Sequence, residues 1–156
     1  MAKVISNNKL KKLIKNLKKK KLSIVVTNGC FDIIHKGHIE IFKKSKILAD
    51  KLIVLVNSDN SIKKLKGRSR PIVSIKDRLS LLSSIKYIDY LVTFNSLTPV
   101  SLYKIIKPNF LTKGSEYRIK ELAGEKIIKK FDGKIKLIKM LPGLSTTKII
   151  EKIKKL

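Results

Sequence analysis

Two histidines three residues apart, His35 and His38, are the most reactive pairing in this 156-residue chain. They close the stretch T-N-G-C-F-D-I-I-H-K-G-H, which follows the apolar run Ile24-Val25-Val26 and precedes a segment of helical pattern. Where a strand hands over to a helix, unpaired backbone N–H groups and the helix dipole together favour a phosphate. Either imidazole can donate to an oxygen of a phosphate under attack, as neutral N–H or as imidazolium. Gly37, between them, has no Cβ to hold a phosphate away from the backbone. The chemistry this fits is nucleotidyl transfer: attack on the α-phosphate of a nucleoside triphosphate, with pyrophosphate leaving. Such transfer needs positioning and charge stabilisation more than covalent help. A structural zinc site fits poorly, because the chain has one cysteine, Cys30, and no third histidine.

Other residues are candidates to complete the site. Asn28, Gly29, Cys30 and Phe31 form the turn after the first long apolar run and are candidate nucleotide contacts. Gly29 suits a tight turn and Asn28 tolerates unusual backbone angles. Cys30 reads as a small, half-buried thiol rather than a nucleophile, and Phe31 as a core anchor. Asp32 is placed to hold an imidazole or a turn amide. The run Lys63 to Pro71, K-K-L-K-G-R-S-R-P, reads as a flexible basic loop, with Lys66 at its centre as a catalytic candidate that closes over the triphosphate. Arg70 and Arg78 stand out because arginine is rare here. Each is a candidate substrate-binding fork, with a structural ion pair as the competing role. Asn57 and Asp59 are further candidate substrate contacts, and Lys113 and Gly114 candidate nucleotide contacts. Ser145, Thr146 and Thr147, preceded by Gly143, open the last helical segment. An N-cap uses one hydroxyl, so three together read as a phosphate cradle.

The elements that must position these residues alternate. Strands are expected at Ile24–Thr27, Leu52–Asn57, Tyr90–Phe94, Phe110–Thr112 and Lys134–Ile138, with helices near 38–49, 75–86, 99–106, 121–130 and 146–155. Apolar strands without polar alternation, such as Leu52 to Val56, imply burial on both faces. Alternating β and α units imply one α/β domain built on a doubly wound parallel sheet. In such sheets ligands bind beyond the carboxyl ends of the strands, and the candidate residues fall on that edge. Residues 3 to 21 carry nine lysines and no acid, with Val4, Leu10, Leu13, Ile14 and Leu17 at helical spacing. We therefore divide the chain into a basic amphipathic N-terminal helix, 1–22, and a main domain, 23–156, on which the helix is expected to pack its apolar stripe.

The net charge of +26 invites a nucleic-acid reading. Yet only Arg68, Arg70, Arg78 and Arg118 among the 37 basic residues are arginine, the residue suited to phosphate and base edges. The lysines spread through every segment beside abundant isoleucine, a pattern that A/T-rich codons produce without a polyanion partner. Nucleic acid is therefore not the expected partner. No apolar run is long enough for a membrane span and no secretory signal is visible, so a soluble cytoplasmic protein is expected.

Gly29, Phe31, Asp32, His35, Gly37, His38 and Ser145-Thr146-Thr147 together resemble the cytidylyltransferase-like nucleotidyltransferases, which carry G-x-F-D-x-x-H-x-G-H after the first strand and S-T-T before the last helix. The resemblance runs from about Ser23 to Ile153 and implies a Rossmann-like nucleotidyltransferase fold. Within that family, T-N-G-C-F-D, V-N-S-D, L-K-G-R-S-R-P, L-T-K-G-S-E-Y and E-L-A-G are most similar to the adenylyltransferases of ADP-heptose synthesis. That group implies ATP with Mg²⁺ and D-glycero-β-D-manno-heptose 1-phosphate as substrates, ADP-heptose for lipopolysaccharide as product, and a homodimer. It assigns His35 and His38 to the triphosphate, the Lys66 loop to the phosphates, and Ser145 with Thr146 to the nucleotide. Glycerol-3-phosphate cytidylyltransferase is the alternative within the family. It usually has an arginine where this chain has Met140, and two aspartates where it has Ser115-Glu116, whereas Lys86-Tyr87-Ile88-Asp89 is similar to its R-Y-V-D. Outside the family, the alternative is a basic nucleic-acid-binding protein.

Overall fold

Six parallel strands form one sheet in the order β1-β4-β3-β2-β5-β6. They are β1 Lys3–Val4, β2 Ile24–Gly29, β3 Lys51–Asn57, β4 Tyr90–Phe94, β5 Phe110–Gly114 and β6 Lys134–Ile138. The helices are α1 Asn7–Lys19, α2 Lys36–Lys46, α3 Asp59–Lys66, α4 Ile75–Ser83, α5 Val100–Ile106, α6 Glu125–Lys130 and α7 Thr146–Ile153. The structure, a computed structural model, describes residues 1–139 and 145–156. Met140 and Gly143, which entered the sequence reading, lie outside the described residues, as does Pro142 between them.

The period-two geometry of a strand sends neighbouring side chains to opposite faces, and both faces are covered. Val26, Ile53, Leu55 and Leu111 pack with Leu10, Ile14 and Leu17 of α1, Leu102 and Ile106 of α5, and Ile128 of α6. Val25, Leu52, Val54 and Val56 pack on the other face with Phe42 of α2 and Leu82 of α4. This double burial explains the continuous apolar strands.

The chain winds outward from β2 through β3 to β4, then returns to add β5 on the other side of β2. Strand order therefore reverses between β2 and β5, and a crevice opens at their carboxyl ends. Gly29 stands opposite Val56 in the β2–β3 register, and Thr27 opposite Thr112 in the β2–β5 register, so the two ends are level.

Two differences from the sequence reading have physical causes, at β1 and at α3. β1 was not expected: its two residues form a strand only because the free edge of β4 accepts them, with Lys3 opposite Tyr90. α1, as its apolar spacing implies, packs that stripe into the same core as the sheet. Half of the supposed basic loop is helix. α3 starts at an N-cap where the Ser58 side chain accepts from Ser61 N–H, and it ends at Gly67 with φ +92°. Lys66 is thus the last helical residue rather than the centre of a loop. Among the described residues no helix is long and apolar enough to cross a membrane.

Candidate active site

A cleft of about 580 Å³ occupies the predicted crevice. Asn28, Gly29, Cys30 and Phe31 from the end of β2, Asn57 from β3, and Lys113 and Gly114 from β5 form its walls. His35 and His38, Lys66, and Ser145, Thr146 and Thr147 complete them. The imidazole pair and the hydroxyl trio, separated by more than a hundred residues, therefore share one cavity.

The turn that delivers the histidines is held by Phe31. Its φ of +49° is a left-handed conformation that a bulky residue adopts only under constraint. Its ring is buried, tilted against Phe42 at 5.2 Å and edge-on to His38 at 5.3 Å. The unusual backbone angle thus falls on Phe31, not on Asn28. Gly29 serves packing instead, since a Cβ there would stand 3.0 Å from the Phe31 ring.

His35 is the N-cap of α2 and His38 lies one turn in, so the rings stack with centroids 3.9 Å apart. The His35 N–H donates to His38 Nδ1 at 3.4 Å, which leaves the neutral His38 its proton on Nε2. Burial first, then His35 and Lys66, lower the pKa of His38 to about 4. Burial also lowers that of His35. Both shifts favour neutral rings near pH 7, in which each imidazole keeps one N–H to donate. The His35 side chain faces the His38 backbone N–H in a capping-box arrangement at the start of α2, which holds its ring in place.

The cationic walls are lysines. Lys113 is half-buried, and desolvation brings its amine down to about 8 while Glu116 and Cys30 oppose the shift. Its Nζ donates to the Asn28 carbonyl at 3.0 Å and lies 5.1 Å from the Tyr117 ring centroid. Burial pushes the Cys30 thiol up, against the pull of Lys66, Arg78 and Arg70, so it is an inert neutral group. At the far wall the Ser145 side chain accepts from Lys148 N–H at 3.2 Å and caps α7. Thr146 donates to the Ile33 carbonyl at 3.4 Å, which ties α7 to the histidine turn.

Four expected contacts do not form the cleft wall. Gly37 is buried within α2. Arg78 is fully buried, and its guanidinium is occupied by protein: Nε donates to Val73 O at 3.1 Å, Nη1 to Cys30 O at 2.5 Å and Asn57 O at 2.9 Å, and Nη2 to Asp59 at 2.7 Å. Asp59 is likewise committed to Arg78 and to the Ile75 N–H. Arg70 pairs with Asp32, whose carboxylate also accepts from Ile72 and Val73 N–H. Burial alone would raise the pKa of Asp32, but those backbone bonds and Arg70 outweigh it and hold it down. These residues clamp the loops that carry the site. Asp32 thus holds turn amides, not an imidazole.

Thr27, Ile41, Leu65, Leu97, Glu116 and Tyr117 also line the cleft and were not singled out from the sequence. Glu116 and Tyr117 had a legible signal, lying beside Lys113-Gly114. Leu65 and Leu97 had none: each is an ordinary apolar residue, about half exposed at the cleft rim. Asp89, which ends K-Y-I-D, lies at the opposite edge of the sheet. There it accepts from Leu52 N–H at 2.8 Å and pairs with Lys46 at 2.7 Å, so the segment braces the sheet away from the cleft.

Comparison with known proteins gives a consistent result. A family model described as cytidylyltransferase-like matches residues 26–152. The bifunctional protein HldE of Helicobacter pylori (strain J99) is 49% identical over 146 residues, which are 94% of this chain and 31% of that protein. HldE of Haemophilus influenzae (strain PittEE) is 43% identical over 151 residues, 97% of this chain and 32% of the relative. The chain thus spans about a third of the length of these curated relatives. The crystal structure of the lipopolysaccharide core biosynthesis protein from Thermoplasma volcanium GSS1 superposes with a TM-score of 0.61 at 28% identity, covering 77% of this chain and 97% of that one.

Proposed function

Because the chain belongs to the cytidylyltransferase-like family, we propose that it transfers AMP from ATP to a sugar 1-phosphate, D-glycero-β-D-manno-heptose 1-phosphate, giving ADP-heptose and pyrophosphate. The nucleotidyl step rests on the family. The choice of ATP and heptose rests on the stretches T-N-G-C-F-D, L-K-G-R-S-R-P, L-T-K-G-S-E-Y and E-L-A-G, and on the high identity to HldE.

The observation that carries the reading is the single cleft shared by two neutral imidazoles, two lysines and a capped helix N-terminus. In the reaction, an oxygen of the sugar phosphate attacks the α-phosphorus in line, forming one P–O bond. The bond to the bridging oxygen breaks, and pyrophosphate leaves with its electron pair. His38 Nε2–H and His35 donate to α-phosphate oxygens as negative charge gathers there. Lys66 neutralises the departing pyrophosphate from the end of α3. Asn28, Gly29, Lys113, Gly114 and the Ser145–Thr147 turn hold the nucleotide, and Asn57 lies on the acceptor side.

The donor set also fits Mg²⁺ carried in on the triphosphate. Asp32 is already committed, Glu116 is the other carboxylate on the cleft wall, and no group of three or more histidine, cysteine or acidic residues gathers among the described residues. An ion held mainly by phosphate oxygens and water suits such walls, and it would shield the triphosphate charge. The use of ATP is consistent with a cytoplasmic enzyme, and a homodimer is the assembly we expect.

A pyrophosphate-release screen tests the proposal, crossing ATP and CTP with heptose 1-phosphate, glycerol 3-phosphate and phosphopantetheine. Turnover is expected with ATP and heptose 1-phosphate. Preference for CTP with glycerol 3-phosphate would overturn the substrate assignment.

A further inference from the structure

One buried hydroxyl reaches the cleft through another residue. Tyr103 on α5 is only 1% exposed, and its hydroxyl donates to Asn28 Oδ1 at 2.8 Å. Burial raises the pKa of the phenol, so it keeps its proton across the working range. The ring rests on Gly124, whose φ is +88° and where a Cβ would come within 2.7 Å of Tyr103 Cδ2. Gly124 ends the stretch E-L-A-G, which none of the roles above uses.

Asn28 is thus held twice, its backbone carbonyl by Lys113 and its side-chain oxygen by Tyr103. Its Nδ2 has no acceptor among the described residues, and the residue lines the cleft. A free asparagine amide can present either its oxygen or its nitrogen to a ligand. Here the reversed amide would force the phenol to accept and would leave its own proton buried without a partner, a costly arrangement. The tyrosine therefore selects the orientation in which nitrogen faces the cleft.

We propose that Tyr103 is a positioning residue, which fixes the Asn28 amide so that Nδ2 donates to an acceptor oxygen of the bound nucleotide. The proposal rests on the nucleotidyltransferase reading of the cleft. It is tested by calorimetric ATP binding and by initial rates for the wild type, Tyr103→Phe, Asn28→Ala, Asn28→Asp and the double variant Tyr103→Phe/Asn28→Ala. Loss of one hydrogen bond predicts that Tyr103→Phe weakens ATP binding roughly three- to tenfold. KM for ATP should rise alongside, with KM for the acceptor unmoved. The double variant should bind no worse than Asn28→Ala alone. Asn28→Asp keeps an oxygen for the phenol but loses the donor, so it should lose at least as much as Asn28→Ala. A purely structural tyrosine would instead lower Tm and leave the ATP Kd unchanged, which would overturn the proposal. So would additive losses in the double variant, or wild-type affinity in Asn28→Asp. A wild type that binds ATP yet releases no pyrophosphate with any acceptor would sink the functional reading, while the binding cycle would still decide the role of Tyr103. A wild type that binds no nucleotide would overturn both.

Discussion

His38 joins the chemistry of the site to the stability of the fold. Its pKa is depressed to about 4 from an ordinary 6.5, so between those values the unfolded chain binds a proton that the folded chain refuses. Stability is therefore undiminished above pH 6.5 and falls as pH drops through this window, by up to about 3 kcal/mol. Urea titrations at pH 7 and pH 5 should show the loss, and His38→Gln should flatten it. Asp32 acts in a separate window: its depressed pKa gives stability that is present above about 3.8 and lost only below. In catalysis, His38→Ala should lower kcat/KM by about 10²- to 10³-fold with an unchanged circular dichroism spectrum. Near-normal turnover would remove His38 from the mechanism. Arg78 makes the opposite case. Removing its buried guanidinium leaves Asp59 and three carbonyls without their donor, so Arg78→Ala should cost about 3–5 kcal/mol of stability. A stable Arg78→Ala protein with only a raised KM would show that the residue serves substrate after all.

At the scale of elements, the strands were legible because burial on both faces leaves continuous apolar runs such as Leu52–Val56. α3 and β1 were not. α3 has only Ile62 and Leu65 to mark an apolar face, and its start depends on a capping serine. β1 exists only because β4 offers an edge. The histidine turn shows the same limit: that Phe31, rather than a glycine or asparagine, adopts the left-handed backbone follows from its packing on Phe42 and His38. The spacing of α1 implies an apolar stripe packed on the domain, and Leu10 of that stripe is completely buried against the sheet. Leu10→Ala should therefore destabilise the whole protein by about 2–5 kcal/mol in denaturant unfolding. A change under 0.5 kcal/mol would mean that α1 is a detachable appendage.

For the whole molecule, the charge of +26 surrounds the cleft that we propose takes anionic substrates. Such a field raises the rate of encounter and is screened by salt. Between 0.05 and 0.5 M salt, kcat/KM for the triphosphate should fall several-fold while kcat stays nearly constant, if lysine charge assists capture. A flat salt profile would mean that the lysines do not assist it.

The sequence by itself determined the class of fold and the edge on which the cleft opens, because strand periodicity, β/α alternation and the H-K-G-H and S-T-T motifs are all local signals. It also pointed to phosphate chemistry, because imidazoles at a helix N-terminus have that bias wherever they occur. Tertiary structure alone decided which polar groups remain free to act. Arg70, Arg78 and Asp59 look like substrate contacts in one dimension, but their partners come from loops distant in the chain and use up their donors and acceptors. Tyr103 looks like a core residue, yet the fold brings its hydroxyl to Asn28, 75 positions away. A side chain's chemistry is written in its type, whereas its availability depends on every neighbour that folding brings to it.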